Sequence, residues 1–181
     1  MNLTRSIGAS LVGLGLLATS VLPASAHLKT GALAPLFTTQ AAVGGDVSEF
    51  DLKVALAKGP VVVYFFPKSF TSGCTVEAHA FSDHIDNFKK LGATVIGISG
   101  DSIETQKKFS TEACRSKFPI ASDAHLLIAK SYDAVIFNMF ANRTSYVIAP
   151  DGKIVESMTD GEPLPHIENA LKALVVLRAT Q

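Results

Sequence analysis

The stretch Val61-Val62-Val63-Tyr64-Phe65-Phe66-Pro67-Lys68-Ser69-Phe70-Thr71-Ser72-Gly73-Cys74-Thr75-Val76-Glu77-Ala78 decides how this chain is read. Val61 to Phe66 is an unbroken β-branched and aromatic run. That pattern marks a strand buried on both faces, and therefore a central one. Pro67 ends the run and fixes the direction in which the chain leaves it. From Cys74 to Lys90 the apolar residues Ala78, Phe81, Ile85 and Phe88 recur at three- and four-residue steps, with Gly92 placed to cap the end. A helix therefore starts at the cysteine. Unpaired backbone N–H groups and the positive end of the helix dipole stabilise an anionic sulfur there, so Cys74 is placed to be reactive. Gly73 lets backbone approach closely whatever the sulfur attacks.

Upstream of this stretch, Asp51 to Lys58 reads as a short helix stopped by Gly59, after a loop-like stretch over residues 27–47 with short extended pieces. Thr94 to Ser99 repeats the buried-strand pattern, and Ser102 caps a helix expected to run to about Arg115. His125 to Tyr132 reads as a short helix. Thr144 to Ala149 and Lys153 to Ser157, joined by Pro150-Asp151-Gly152, read as an antiparallel hairpin. Leu164, Ile167, Leu171, Leu174 and Leu177 mark one face of a last helix. Successive β–α units followed by a hairpin and a helix predict an α/β fold: one mixed sheet covered by helices on both faces.

Pro67-x-x-x-Thr71-x-x-Cys74 resembles the peroxidatic motif of the peroxiredoxins, thiol enzymes that reduce hydroperoxides. Pro67-Lys68 followed by Gly73-Cys74-Thr75-Val76-Glu77-Ala78 is similar to the bacterioferritin comigratory protein subfamily, also called peroxiredoxin Q. Ala34-Pro35-Leu36-Phe37, Val95 to Ser102, and Arg143 to Ile154 match in the same order. The resemblance thus covers nearly all of the chain after residue 33 and implies a thioredoxin-like fold.

It also implies a set of roles. Cys74 is the nucleophile of the motif that Pro67 opens, the Thr71 hydroxyl bonds the thiolate and the peroxide, and the backbone amides of Gly73 and Cys74 line the pocket. Arg143 brings a fixed charge from another strand, which suits a guanidinium because it does not deprotonate. Glu77, on the same helix side as Cys74, orients Arg143. Attack leaves Cys74 as a sulfenic acid, which a second thiol condenses with. Many subfamily members carry that thiol five residues after the nucleophile, where this chain has His79; others carry it where this chain has Ser110. Cys114 follows Ser110 by one helical turn, about 6 Å along the axis, and is the candidate resolving residue. An inert Cys114, leaving a one-cysteine peroxidase that uses an external thiol, and a non-catalytic domain stapled by a Cys74–Cys114 disulfide are the alternatives.

The chain has 181 residues, 48% hydrophobic, enough for one core. Its 16 basic residues balance 16 acidic ones, so no charge excess points to nucleic acid or an anionic surface. No histidine spacing suggests a metal or a haem, and the resemblance implies no cofactor. Residues 1–26 read as a signal peptide: Arg5, an apolar run from Ile7 to Leu22, then Ala24-Ser25-Ala26. Cleavage before His27 leaves a single domain, 27–181, exported to the bacterial periplasm and without stable membrane association. The expected partners are a hydroperoxide and a thioredoxin-like or other thiol reductant, with the protein a monomer or weak dimer.

Overall fold

The computed structural model describes residues 27–180; the signal segment expected at 1–26 lies outside them. β3 (Val61–Phe65) is buried at every position, as its apolar run requires. It pairs in parallel with β4 (Thr94–Ser99) and antiparallel with β8 (Thr144–Ile148), so the sheet is mixed. β5 (Ile120–Ser122) extends the parallel side, and β9 (Ile154–Thr159) pairs antiparallel with β8. Adding β1 (Thr38–Val43) and β2 (Asp46–Asp51) gives the order β2-β1-β5-β4-β3-β8-β9. A separate two-stranded ribbon joins β6 (Val135–Ile136) to β7 (Phe140–Ala141).

The alternation of side chains along β3 divides the interior in two. Val62, Tyr64 and Phe66 face a layer that holds Phe81 and Phe88 of α2 (Ser72–Lys90), Phe109 of α3 (Ile103–Glu112) and Ile167 and Leu174 of α5 (Leu164–Ala179). β3-α2-β4 and β4-α3-β5 are successive crossovers in one direction, and right-handed crossovers then place α2 and α3 on the same face. Val61, Val63 and Phe65 face the opposite layer, with Leu52 and Leu56 of α1 (Leu52–Leu56) and Ala129 of α4 (Leu127–Ser131). Helices on both faces of a mixed sheet are thus observed.

Three readings of local structure are corrected. Residues 38–51, expected as loop and the start of a helix, form the β1–β2 hairpin. Its turn is Gly44-Gly45, both at positive φ (58° and 86°), the conformation that two-residue hairpins require. β2 is mostly exposed and polar, so it carries little apolar signal. α1 begins only at Leu52, capped by Asp51, whose side chain accepts from the Val54 N–H. α3 ends at Glu112 rather than near Arg115, because Arg115 and Ser116 both take positive φ (51° and 58°), which a right-handed helix cannot continue through. Cys114 therefore sits past the end of α3 and is not one turn beyond Ser110 on a continuous helix.

Candidate active site

α2 starts at Ser72 with Thr71 as its N-cap, which puts Cys74 within the first turn. The loop between β3 and α2 is anchored by a buried polar network. The Ser69 N–H donates to Asp101 Oδ2 at 2.7 Å, as does Ser99 Oγ. Ser69 Oγ donates to Gln106 Oε1 at 3.0 Å, and Gln106 Nε2 donates to Ser99 Oγ at 2.7 Å and to the Ala121 carbonyl at 3.2 Å. Phe70, at φ 65°, packs edge-on against Phe109 of α3 at 5.1 Å between ring centres. Pro67 leads from β3 into this loop. The start of α2 is thus tied to β4, β5 and α3.

Cys74 is buried, and its sulfur accepts from Arg143 Nη2 at 3.5 Å. Arg143 immediately precedes β8 and is itself buried. Strand alternation carries Arg143 to the same face as Ser145 and Val147, the face that α2 covers. Each nitrogen of its side chain has a partner. Nη1 donates to Glu77 Oε2, Nε donates to the Gly161 carbonyl at 3.0 Å, and Nη2 reaches the sulfur. A Cβ on Gly73 would come within 3.1 Å of Nη2, so the absent side chain there makes room for the guanidinium.

Glu77 is fully buried, and its Oε1 has no hydrogen-bond partner. Burial pushes its carboxyl up to about 8, while the charge and hydrogen bond of Arg143 pull the other way. Thr71 Oγ1 donates to the Lys68 carbonyl at 3.0 Å, so in this state its one proton serves the loop and not the sulfur.

Cys114 is fully buried and unbonded to Cys74, although both belong to the same apolar layer. Burial raises its thiol far above the usual range. Ser82 Oγ donates to the Cys114 carbonyl at 2.7 Å, and Ser82 lies about 12 Å along the α2 axis from Cys74. Tyr64 is buried in the same layer with an unpartnered hydroxyl, and its ionisation is suppressed first by burial and then by the neighbouring Cys114, Glu77 and Cys74.

Two groups near the site carry no signal in the sequence. The Gly161 carbonyl binds Arg143 through backbone, which residue identity does not reveal. His166, which shows no ligand spacing, is fully buried on α5 beside Ser145. Among the described residues, no group of three or more His, Cys, Asp and Glu is placed to hold a metal, and no helix is long and apolar enough to cross a membrane.

Residues 30–157 match the family model of the AhpC/TSA family. The chloroplastic peroxiredoxin Q of Sedum lineare is 36% identical over 158 residues, covering 84% of this chain and 81% of its own. The chloroplastic peroxiredoxin Q of Populus jackii is 35% identical over 161 residues, covering 84% of this chain and 75% of its own. Among solved structures, peroxidoxin BcpB from Mycobacterium tuberculosis superposes with a TM-score of 0.75 at 31% identity, covering 83% of this chain and 99% of that one.

Proposed function

Because the chain belongs to the AhpC/TSA family, in its peroxiredoxin Q branch, and is a thiol-dependent peroxidase, we propose that Cys74 is its attacking thiolate and Arg143 the group that activates it. The observation that carries this assignment is the 3.5 Å contact from Arg143 Nη2 to Cys74 Sγ in a buried site. The thiolate attacks one peroxide oxygen: an S–O bond forms, the O–O bond breaks, sulfur gives up two electrons, and the departing oxygen leaves as hydroxide or alkoxide and takes a proton. Arg143 faces the sulfur and stabilises negative charge as it passes to the leaving oxygen. The N–H groups at the start of α2, including those of Gly73 and Cys74, have no partner within the helix and are free to line the site of the bound peroxide. Thr71 contributes by turning its hydroxyl from the Lys68 carbonyl toward the bound peroxide, a rotation about one side-chain bond.

Cys114 resolves the sulfenic acid: its thiol condenses with Cys74–SOH, forming the disulfide and releasing water. A dithiol donor of the thioredoxin type then takes up the oxidising equivalents by exchange. Disulfide geometry needs Cα atoms within about 7 Å, and Cys114 is held at Ser82, about 12 Å along α2 from Cys74, so the first turns of α2 or the segment around Cys114 open in this cycle. Hydrogen peroxide and organic hydroperoxides are the substrates, and no cofactor enters the cycle. Residues 1–26 direct export to the periplasm and are removed before His27, leaving a monomer or weak dimer.

The test is intact-mass analysis of the reduced mature protein after substoichiometric peroxide, with Cys74→Ser and Cys114→Ser beside it. The reading expects an internal disulfide in the unmutated protein, a sulfenic acid in Cys114→Ser, and no fast reaction in Cys74→Ser. A sulfenic acid that persists in the unmutated protein would transfer resolution to an external thiol. Equal, slow reaction of both variants would remove Cys74 as the nucleophile.

A further inference from the structure

We propose that His166 is a positioning residue for Arg143, acting through the turn at Asp160-Gly161. His166 is fully buried in the first turn of α5. Its Nε2 lies 3.1 Å from the Asp160 carbonyl oxygen, and its Nδ1 lies 2.8 Å from Ser145 Oγ. A carbonyl only accepts, so Nε2 carries the proton, and the neutral ring then accepts at Nδ1 from the Ser145 hydroxyl. Burial lowers the tendency of the ring to take a second proton, and the nearby Arg143 charge works in the same direction. The neutral tautomer is thereby held, with one nitrogen fixed on β8 and the other on the turn.

The turn grips Arg143 twice. The Asp160 N–H donates to the Arg143 carbonyl at 3.3 Å, and the Gly161 carbonyl accepts from Nε at 3.0 Å. Nε is the root of the guanidinium plane, so moving the Gly161 carbonyl tilts Nη1 and Nη2 together. Nη2 is the atom that reaches Cys74. His166 is therefore two hydrogen bonds removed from the sulfur's own partner, and its contact with Ser145 ties the turn to the strand that Arg143 leads into.

The two faces of the imidazole can be tested separately. Glutamine places an N–H donor near the Nε2 position and so retains the bond to the turn; asparagine reaches only the Nδ1 position and loses it. The readout is the second-order rate of Cys74 oxidation by hydrogen peroxide, followed by acid quench and intact mass. His166→Asn is expected to slow oxidation about tenfold, the scale of one net hydrogen bond. His166→Gln is expected to stay within about threefold of the unmutated rate. In an Arg143→Ala background His166→Asn is expected to add nothing, because the two act in one path.

Equal slowing by glutamine and asparagine, or a full additional loss in the Arg143→Ala background, would mean that His166 only fills space. Should His166→Asn not fold, Ser145→Ala removes the opposite anchor of the ring; it is expected to slow oxidation severalfold, and only when Arg143 is present. The inference rests on the assigned role of Arg143. If Arg143→Ala reacts at the unmutated rate, that role fails; if it is slow but His166→Asn is not, only the present inference fails.

Discussion

Ser82 Oγ holds the carbonyl of Cys114 at 2.7 Å, about 12 Å along α2 from Cys74. The helix that presents one thiol at its start therefore secures the backbone of the other two turns further on. The Lys117 N–H bonds the same carbonyl at 3.0 Å, and the Lys117 ammonium donates to the Ser82 carbonyl at 3.0 Å. These bonds hold the backbone of Cys114 against α2, and under the resolving role proposed for Cys114 some of them must break for the disulfide to close.

Ser82→Ala removes one of these bonds, a net loss of about 1 kcal/mol. Sulfenic acid formation should proceed at the unmutated rate, while its conversion to disulfide should accelerate severalfold. A quenched time course resolving the two species by mass separates the steps. An unchanged second step would place the barrier at the start of α2 alone.

Arg143→Ala should slow Cys74 oxidation on the order of a hundredfold or more, the loss that follows removal of one preorganised donor in other enzymes. Arg143→Lys should recover little. A single ammonium cannot meet Glu77, the Gly161 carbonyl and the sulfur at once, as the three guanidinium nitrogens do. Stopped-flow rates with hydrogen peroxide give both values, and a lysine variant near the unmutated rate would reduce the role to charge alone.

Gly73→Ala should separate stability from activity. Alanine is the better helix former by about 1 kcal/mol, so stability should hold or rise slightly. The new methyl meets Arg143 Nη2 at 3.1 Å and displaces it from the sulfur, so oxidation should slow about tenfold. Thermal unfolding and peroxide kinetics on one preparation test both halves; unimpaired kinetics would show that the guanidinium tolerates the methyl.

Glu77 gives the protein a specific pH dependence. Burial raises its carboxyl from about 4.5 to about 8, so the folded chain keeps a proton that the unfolded chain releases. The resulting stability is complete below the unfolded value and is lost as pH rises through the folded one. Glu77→Gln does not titrate, so its stability relative to the unmutated protein should climb by roughly 1 kcal/mol or more between pH 5 and pH 8. Urea unfolding at the two pH values tests this, and a difference that is flat or falls with pH would mean that Glu77 stays ionised against Arg143 throughout.

The central strand, the helix that starts at the thiol, and the order of the β–α units are legible in the residues alone. Each is written in a local period: an unbroken apolar run for Val61–Phe65, three- and four-residue steps from Ala78 to Phe88. The β1–β2 hairpin had a local sign in Gly44-Gly45, but an exposed polar β2 leaves no apolar alternation to accompany it. The motif joins Pro67, Thr71 and Cys74, and the family resemblance adds Gly73, Glu77 and Arg143. Tertiary packing selected which of them touch. It buried Glu77 against Arg143, set the guanidinium on the Cys74 sulfur, turned the Thr71 hydroxyl toward Lys68, carried Cys114 past the end of its helix, and set His166 of α5 against the Asp160 carbonyl. These contacts join segments far apart in the chain or run through backbone carbonyls. They follow from sheet register and helix packing, which no local period encodes.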